Sequence, residues 1–389
     1  MKELELYVHI PFCVKKCSYC DFLSAPAAES VRQSYTDQLQ KEIRAAGPLY
    51  NDDLVISVFV GGGTPSVLTP SQMQRLFGQL RSSFHIRNDA EITVECNPGT
   101  MDAQKLKVYR EAGVNRLSIG LQSAVHKELQ LLGRIHTFEQ FLQNYSMARD
   151  LGFQNINVDI MSGLPGQKPS DYEQTLKKVT ALQPEHISAY SLIIEEGTPF
   201  YERYGQAELL RQKGKKQCLL PSEEEERSMY EITKQLLASA GYDRYEISNY
   251  AVKGFECRHN TGYWLRKNYL GVGLGAASLT DNIRFANTND LSRYLQADLT
   301  VAGGASEGKK ELSIWEQMEE FMFLGLRMMR GVSMEEFQKQ FSRPMQDVYN
   351  EVLSRQLQEE LIKKTKEGYA LTDYGIDISN YVMSQYLFD

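Results

Sequence analysis

Apolar and polar residues alternate from the start of the chain: Leu4, Leu6, Val8 and Ile10 against Glu5, Tyr7 and His9. A period of two predicts a β-strand. Residues 54–60 form a continuous apolar run, short enough for a buried strand. Further strands are predicted at 90–95, 115–121, 154–160 and 185–191. Between them, stretches of helical period lie near 29–46, 70–84, 102–112, 124–151 and 169–182. Strand and helix in strict alternation predict an α/β fold of repeated βα units on a parallel sheet. With right-handed crossovers the sheet either curls into an incomplete barrel or stays open.

Parallel strands covered on both faces should be almost wholly apolar. The later strands depart from that. Ser118, Gly120 and Gln122 interleave with Leu117, Ile119 and Leu121, and Asn155, Asn157 and Asp159 with Ile156, Val158 and Ile160. One face of the sheet therefore looks onto something polar, and polar groups at the carboxyl ends of barrel strands mark a site.

Beyond residue 195 the pattern changes. Residues 197–222 carry scattered glycines and a basic run, Arg211 to Lys216, and are expected to be a solvated loop. Ser222 and Glu225 form a capping box, which predicts a helix running to about Ala240 and ending at Gly241. Residues 245–250 are expected to be a strand. The glycine-rich stretch Gly271 to Ser278 lacks the G-x-G-x-x-G spacing and a following helix, so it predicts no phosphate site. Residues 301–312 are expected to be a linker. The rest of the chain is expected to be a small helical domain with a β-wing near 361–371, its core including Met318, Met322, Met328 and Met329. The expected division is a barrel at 1–240, a flanking segment at 241–305 and a helical, winged domain at 306–389.

Composition narrows the function. The chain has 389 residues, 42% of them hydrophobic, and a net charge of -7. The negative charge argues against nonspecific nucleic-acid binding. No apolar run of membrane-spanning length occurs, and the first residues lack the apolar region of a signal peptide. Six cysteines in so long a chain do not make a disulfide scaffold. A reducing cytoplasm is expected.

Three of those cysteines, Cys13, Cys17 and Cys20, are clustered directly after the first strand with C-x3-C-x2-C spacing. Three thiolates leave one iron of a four-iron cluster without a protein ligand, open to a second molecule. Buried structural thiols and part of a zinc site are the alternatives. Gly61-Gly-Gly-Thr-Pro-Ser66 follows the second strand, and its glycines let backbone approach a ligand closely. Glu95 ends the third strand, Gln122 the fourth and Asp159 the fifth. A carboxylate and amides converging there could hold an amine and ribose hydroxyls, and Arg134 could pair a carboxylate.

Together, Tyr7-x-His-Ile-Pro-Phe-Cys with the cysteine triad, Gly-Gly-Gly-Thr-Pro, Glu-x-Asn-Pro, Ile-Gly-x-Gln-Ser and Asp-x-Met-x-Gly-Leu-Pro resemble the radical S-adenosylmethionine (SAM) enzymes. More narrowly, the chain resembles the HemN-like group and, within it, the HemW-like haem chaperones. The resemblance implies a partial (βα)6 barrel, TIM-like, with a 4Fe-4S cluster on Cys13, Cys17 and Cys20 that reduces bound SAM to methionine and a 5'-deoxyadenosyl radical. It implies SAM contacts from Tyr7, Tyr19, Gly62, Gly63, Thr64, Glu95, Gln122, Arg134, Asp159 and Ala189.

Two features set the HemW-like chains apart from the oxygen-independent coproporphyrinogen III oxidases, the alternative reading. Phe22 stands where those enzymes have a fourth cysteine. Residues 257–264, Cys-Arg-His-Asn-Thr-Gly-Tyr-Trp, carry the H-N-x-x-Y-W signature, which implies haem binding by His259, Asn260, Tyr263 and Trp264. His259 is the expected iron ligand, with Cys257 as the alternative. Where relatives commonly have Gly-Ala-His-Ser, this chain has Ala277 in place of the histidine. The partners implied are haem-accepting proteins, the membrane being one place of delivery, and an electron donor to the cluster. No nucleic-acid partner is expected.

Overall fold

The computed structural model describes residues 1–388. Six strands follow one another in the sheet in chain order and all run parallel: β1 (Lys2–Ile10), β2 (Asp53–Gly62), β3 (His85–Cys96), β4 (Arg116–Gln122), β5 (Ile156–Ser162) and β6 (His186–Ser191). The crossovers pack on the outside: α1 (Glu29–Ala46), α2 (Pro70–Ser83), α3 (Ala103–Glu111), α4 (His126–Leu132), α5 (Phe138–Asp150) and α6 (Pro169–Thr180). Val8, Val58, Val94, Ile119 and Val158 lie in one core with Leu39, Leu76, Leu106 and Leu176 of these helices. The alternate strand positions, among them Glu5, Ser57, Glu91, Arg116, Asn157 and His186, are buried too. Both faces of the sheet are therefore covered, one by helices and one by a polar lumen.

The single helix expected over 124–151 is two. Gly133 ends α4 in the left-handed conformation (φ 76°), and Thr137 starts α5 with a capping box to Gln140. The connection between them carries Arg134 into the site. The loop expected over 197–222 is mostly helix, α7 (Pro199–Gln212), capped by Thr198. Arg211, the first residue of the basic run, pairs with Glu208 and Glu226. The capping box at Ser222 and Glu225 starts α8 (Glu223–Ser239) as expected.

The sheet continues past both edges of the six strands. Instead of one strand at 245–250 there are two short ones, β7 (Asp243–Arg244) and β8 (Asn249–Ala251), with β8 antiparallel to β6. Next comes α9 (Arg258–Trp264). On the far side of β1 lie β9 (Tyr269–Val272), parallel to it, then β10 (Ala277–Thr280), β11 (Ile283–Asn287) and β12 (Ser306–Glu311), all antiparallel to their neighbours. The glycine-rich stretch is the turn between β9 and β10. A side chain at Gly271 would collide with the Ala277 carbonyl, so the glycine is needed for strand approach and not for a phosphate. The expected linker is largely β12, the edge of a twelve-stranded sheet, reached through α10 (Leu291–Gln296).

The last part has its own core, which includes Met318, Met322, Phe337, Leu353 and Val382. Its helices are α11 (Ile314–Gly325), α12 (Met334–Phe341), α13 (Met345–Gln358), α14 (Asp373–Asp377) and α15 (Ser379–Ser384). A three-stranded wing, β13 (Val332–Ser333), β14 (Ile362–Lys364) and β15 (Gly368–Leu371), completes it. Arg266 beside α9 and Arg284 of β11 both bind Glu320 of α11, tying this part to the sheet.

Candidate functional site

The segment that leaves β1 carries the three cysteines, and it is stitched to the body of the fold at several points. The Cys13 amide donates to the Ala25 carbonyl (3.2 Å) and the Ser18 amide to Leu132 at the end of α4 (3.0 Å). Phe200 at the start of α7 donates back to the Ser18 carbonyl (2.9 Å). His9 Nε2 donates to the Leu23 carbonyl (2.9 Å), which leaves Nδ1 to accept from the Tyr7 hydroxyl (3.0 Å). All three thiols are free and half-buried. Thr64 Oγ1 lies 3.4 Å from Cys13 Sγ and Arg134 Nη1 lies 3.6 Å from Cys17 Sγ. Burial holds the Cys20 thiol above its usual range. Among the described residues, no three His, Cys, Asp or Glu side chains are close enough to close on one ion.

The Gly-Gly-Gly-Thr loop after β2 is fixed against the same segment. Gly63 donates to the Ile10 carbonyl (2.9 Å) and Thr64 to that of Phe12 (2.7 Å). Gly62 has φ 109°, and a Cβ there would sit 2.5 Å from the His9 ring. Its amide donates to Glu95 Oε2 (3.0 Å). Only glycine satisfies both the backbone conformation and the close approach.

Glu95 is enclosed. Burial, and next the nearby Asp159 carboxyl, push its pKa up to about 8. Burial also raises Asp159, although Asn157 Nδ2 donates to it at 2.7 Å. Gln122 closes β4 in the left-handed region (φ 72°), which is rare for a residue with a side chain, and its buried Oε1 has no partner. Strain of this kind concentrates at ligand sites. Arg134 reaches Asn97 and the Gly120 carbonyl, while its Nε is likewise buried and unpartnered. Tyr19 packs on Phe200, and Ala189 of β6 is half-buried. Free thiols, a glycine cradle and buried polar atoms without partners are what a cluster and a zwitterionic nucleoside would require, so the residues present fit both groups.

The lumen below holds a second polar set, built around α9. Glu91 of β3 accepts from the amides of Arg258 (3.1 Å) and His259 (3.2 Å) and from the Cys257 thiol (3.5 Å). His259 is 1% exposed, and both ring nitrogens are taken: Nδ1 by Ser57 Oγ (2.8 Å), Nε2 by the Tyr263 hydroxyl (2.9 Å). Burial, then the positive charge of Arg116, pushes its pKa down to about 3, so the ring is neutral. With Tyr263 donating to Nε2, Nδ1–H donates to Ser57. Glu5 Oε2 is 3.9 Å from Nδ1, and both Glu5 oxygens are buried without a well-placed partner. The two ligands expected for haem iron, His259 and its alternative Cys257, are thus engaged inside the barrel. Asn260 is half-buried on the same helix.

Tyr263 and Trp264 are placed differently. They line a cavity of about 570 Å3 together with Tyr7, His9, Ala277 and Arg284. The cavity lies between β1, α9, the β9–β10 turn and Leu324 of α11. Tyr7 stands between the two sets, its ring 6.5 Å from that of His259. Sequence reasoning missed Glu5, Ser57, Glu91 and Arg116. Their one signal was polar character at alternate strand positions.

The Radical SAM superfamily model matches residues 7–179, and the HemN C-terminal domain model matches residues 312–378. The first match implies a 4Fe-4S cluster and S-adenosylmethionine. Proteins named heme chaperone HemW are similar over the whole chain. That of Bacillus subtilis (strain 168) is 36% identical, covering 98% of each chain. That of Lactococcus lactis is 34% identical, covering all of this chain and 98% of the relative. That of Escherichia coli (strain K12) is 32% identical, covering all of this chain and 99% of the relative. The solved structure of coproporphyrinogen III oxidase (HemN) from Escherichia coli, a radical SAM enzyme, superposes with a TM-score of 0.84 at 25% identity, covering 99% of this chain and 90% of that one. Full-length likeness at this level, on a scaffold whose strand ends gather the cysteine triad and the glycine cradle, shows that the chain belongs to the HemW family of radical SAM proteins.

Proposed function

We propose that the protein is a haem chaperone: it holds haem in the cavity beside the SAM site and hands it to acceptor proteins. One observation carries this reading. The aromatic cavity is walled on one side by Tyr7 of the SAM-site strand and on the other by Tyr263 and Trp264 of the H-N-x-x-Y-W helix. Its size is that of a small-molecule site. Flat aromatic walls suit a macrocycle, and Arg284 at the edge suits a propionate. The relatives' name agrees.

Cys13, Cys17 and Cys20 would hold the cluster, which when bound supplies an electron to SAM. Glu95 would take the SAM amine, and Gly62, Gly63 and Thr64 its zwitterionic end. Arg134 would pair its carboxylate, with Tyr7, Tyr19, Gln122, Asp159 and Ala189 completing the site. The helical, winged part would cover the cavity through Leu324. Ala277 lines that cavity, so a histidine normally found there would face the same ligand. No helix among the described residues is long and apolar enough to cross a membrane; delivery at a membrane would rest on peripheral contact.

Hemin titration followed by transfer to an apo-haem protein tests the reading. Saturable binding and transfer are expected, and absence of binding would sink it. The structural likeness to the oxidase keeps a second reading open. Anaerobic incubation with coproporphyrinogen, reductant and SAM separates the two, since protoporphyrinogen formation would favour the oxidase.

A further inference from the structure

We infer that a second cavity, at the seam between the sheet and the helical, winged part, binds a small aromatic carboxylate. The site is separate from the haem cavity and does not rest on the haem reading. Its volume is about 470 Å3, within the range of small-molecule sites. The walls come from both parts of the chain. Trp264 and Leu265 stand at the end of α9, Phe321 on α11, Val332 on β13 and Lys339 on α12.

The lining has two kinds of chemistry. Trp264, Leu265, Phe321 and Val332 give apolar surface, and two of them are aromatic. Against a single carboxyl, Glu336, stand the cations of Arg266, Lys267, Arg330 and Lys339. In a chain of net charge -7 this is a local excess of positive charge. Two of these cations are already used: Arg266 pairs with Glu320 and Lys267 with Glu3, both at 2.8 Å. Arg330 and Lys339 are exposed, and among the described residues neither side chain has an acidic or hydrogen-bonding partner. Unpaired cations beside apolar walls match a ligand with one charged end and a hydrocarbon body. The guanidinium fork of Arg330 suits a carboxylate, and the rings of Trp264 and Phe321 suit a flat body. Glu336 on the same wall disfavours a second negative charge.

Trp264 lines both this cavity and the haem cavity, and so forms the partition between them. Arg327 stacks on its ring, Cζ 4.3 Å from the centroid, and its Nη2 lies 3.6 Å from Glu246. The partition is therefore fixed from behind. A ligand in the seam cavity touches both parts of the chain, so its binding clamps the helical, winged part against the sheet.

The test uses the full chain, free of hemin, at low salt. The probe is anilinonaphthalene sulfonate, an aromatic anion whose sulfonate stands in for the carboxylate. Phenylnaphthylamine, the same body without the charge, is its control. Probe fluorescence and calorimetry are expected to show saturable binding of the anion. Arg330→Glu combined with Lys339→Glu is expected to bind it roughly tenfold more weakly. Ala277→Glu, which puts a negative charge in the haem cavity, is expected to bind it as wild type does. The neutral amine is expected to bind more weakly than the anion and alike in all three proteins. The bound anion is expected to slow proteolysis near residue 312 in wild type. Circular dichroism checks each fold; if the double variant fails to fold, Arg330→Gln and Lys339→Gln replace it singly. Equal affinity in wild type and the folded charge-reversed protein, equal affinity for anion and amine, or weakening in Ala277→Glu alone would overturn the inference. So would unchanged proteolysis of the saturated wild type, which would place the probe away from the seam. Hemin uptake by the charge-reversed protein is expected to be unchanged, so failure of this site and failure of the haem reading are separate results.

Discussion

Arg266 Nε lies 2.8 Å from Glu320 Oε2, both side chains almost wholly buried at the seam between the sheet and the helical, winged part. Arg284 Nη1 takes the other Glu320 oxygen, also at 2.8 Å. Removing one partner of a buried pair leaves an uncompensated charge, at a cost of about 3–5 kcal/mol. Glu320→Ala should therefore lower the denaturant midpoint and speed proteolytic cleavage near residue 312. Glu320→Gln, which keeps the shape, should cost less. Equal stability in wild type and Glu320→Ala would show that the seam is held by other contacts.

Replacing Cys13, Cys17 and Cys20 together with alanine should abolish the brown cluster absorbance and leave the fold intact, because none of the three belongs to the main apolar core. Iron analysis and circular dichroism check both halves of the expectation. A cluster that persisted would remove the triad from the site.

Glu95 accepts from the glycine cradle at Gly62, and under the proposed reading its carboxylate takes the SAM amine. Glu95→Ala should weaken SAM binding at least tenfold by calorimetry, since charge-assisted hydrogen bonds contribute about 1.5–3 kcal/mol. Because its pKa is pushed up to about 8, wild-type affinity should also rise from pH 6 to pH 8 as the carboxylate forms. A pH-independent affinity would point to another group.

Glu5 gives a stability profile of definite sign. Burial pushes its pKa from 4.5 up to about 9. A carboxyl raised in the folded state helps most where both states are protonated, below about 4.5, and loses that contribution as pH rises through about 9. Glu5→Gln should flatten this fall between pH 5 and pH 9. Parallel curves for the two proteins would mean that Glu5 is not neutral in the fold.

Gly262 packs directly on the Glu5 carboxyl, so a Cβ at this position would overlap it. Gly262→Ala should destabilise the fold by about 1–3 kcal/mol and displace α9. The displacement would show as lost protection of the His259 ring in exchange or chemical modification experiments.

Much of this was legible in the chain. The six parallel strands, most of their crossovers and the strand-end residues follow from periodicity and motif spacing, because apolar period and turn chemistry are local properties. Three features were not. Residues 306–311 are polar, Ser-Glu-Gly-Lys-Lys-Glu, and form a strand only because β11 offers a free edge. The α7 segment carries enough glycine and charge to suggest a loop, but Thr198 caps it and Phe200 and Tyr204 bury one side. The third was the true surroundings of His259. A motif shows that the histidine matters and leaves open which way it points. That depends on Ser57 and Glu5, more than two hundred residues earlier in the chain.

The strand that leads to the cysteines has a neighbour on each side, β9 and β2. The segment beyond it is closed by the Phe12–Ala25 bridge. The cysteine-bearing loop is therefore anchored by backbone pairing at both of its ends, so exchanging a thiol within it leaves its hinges in place.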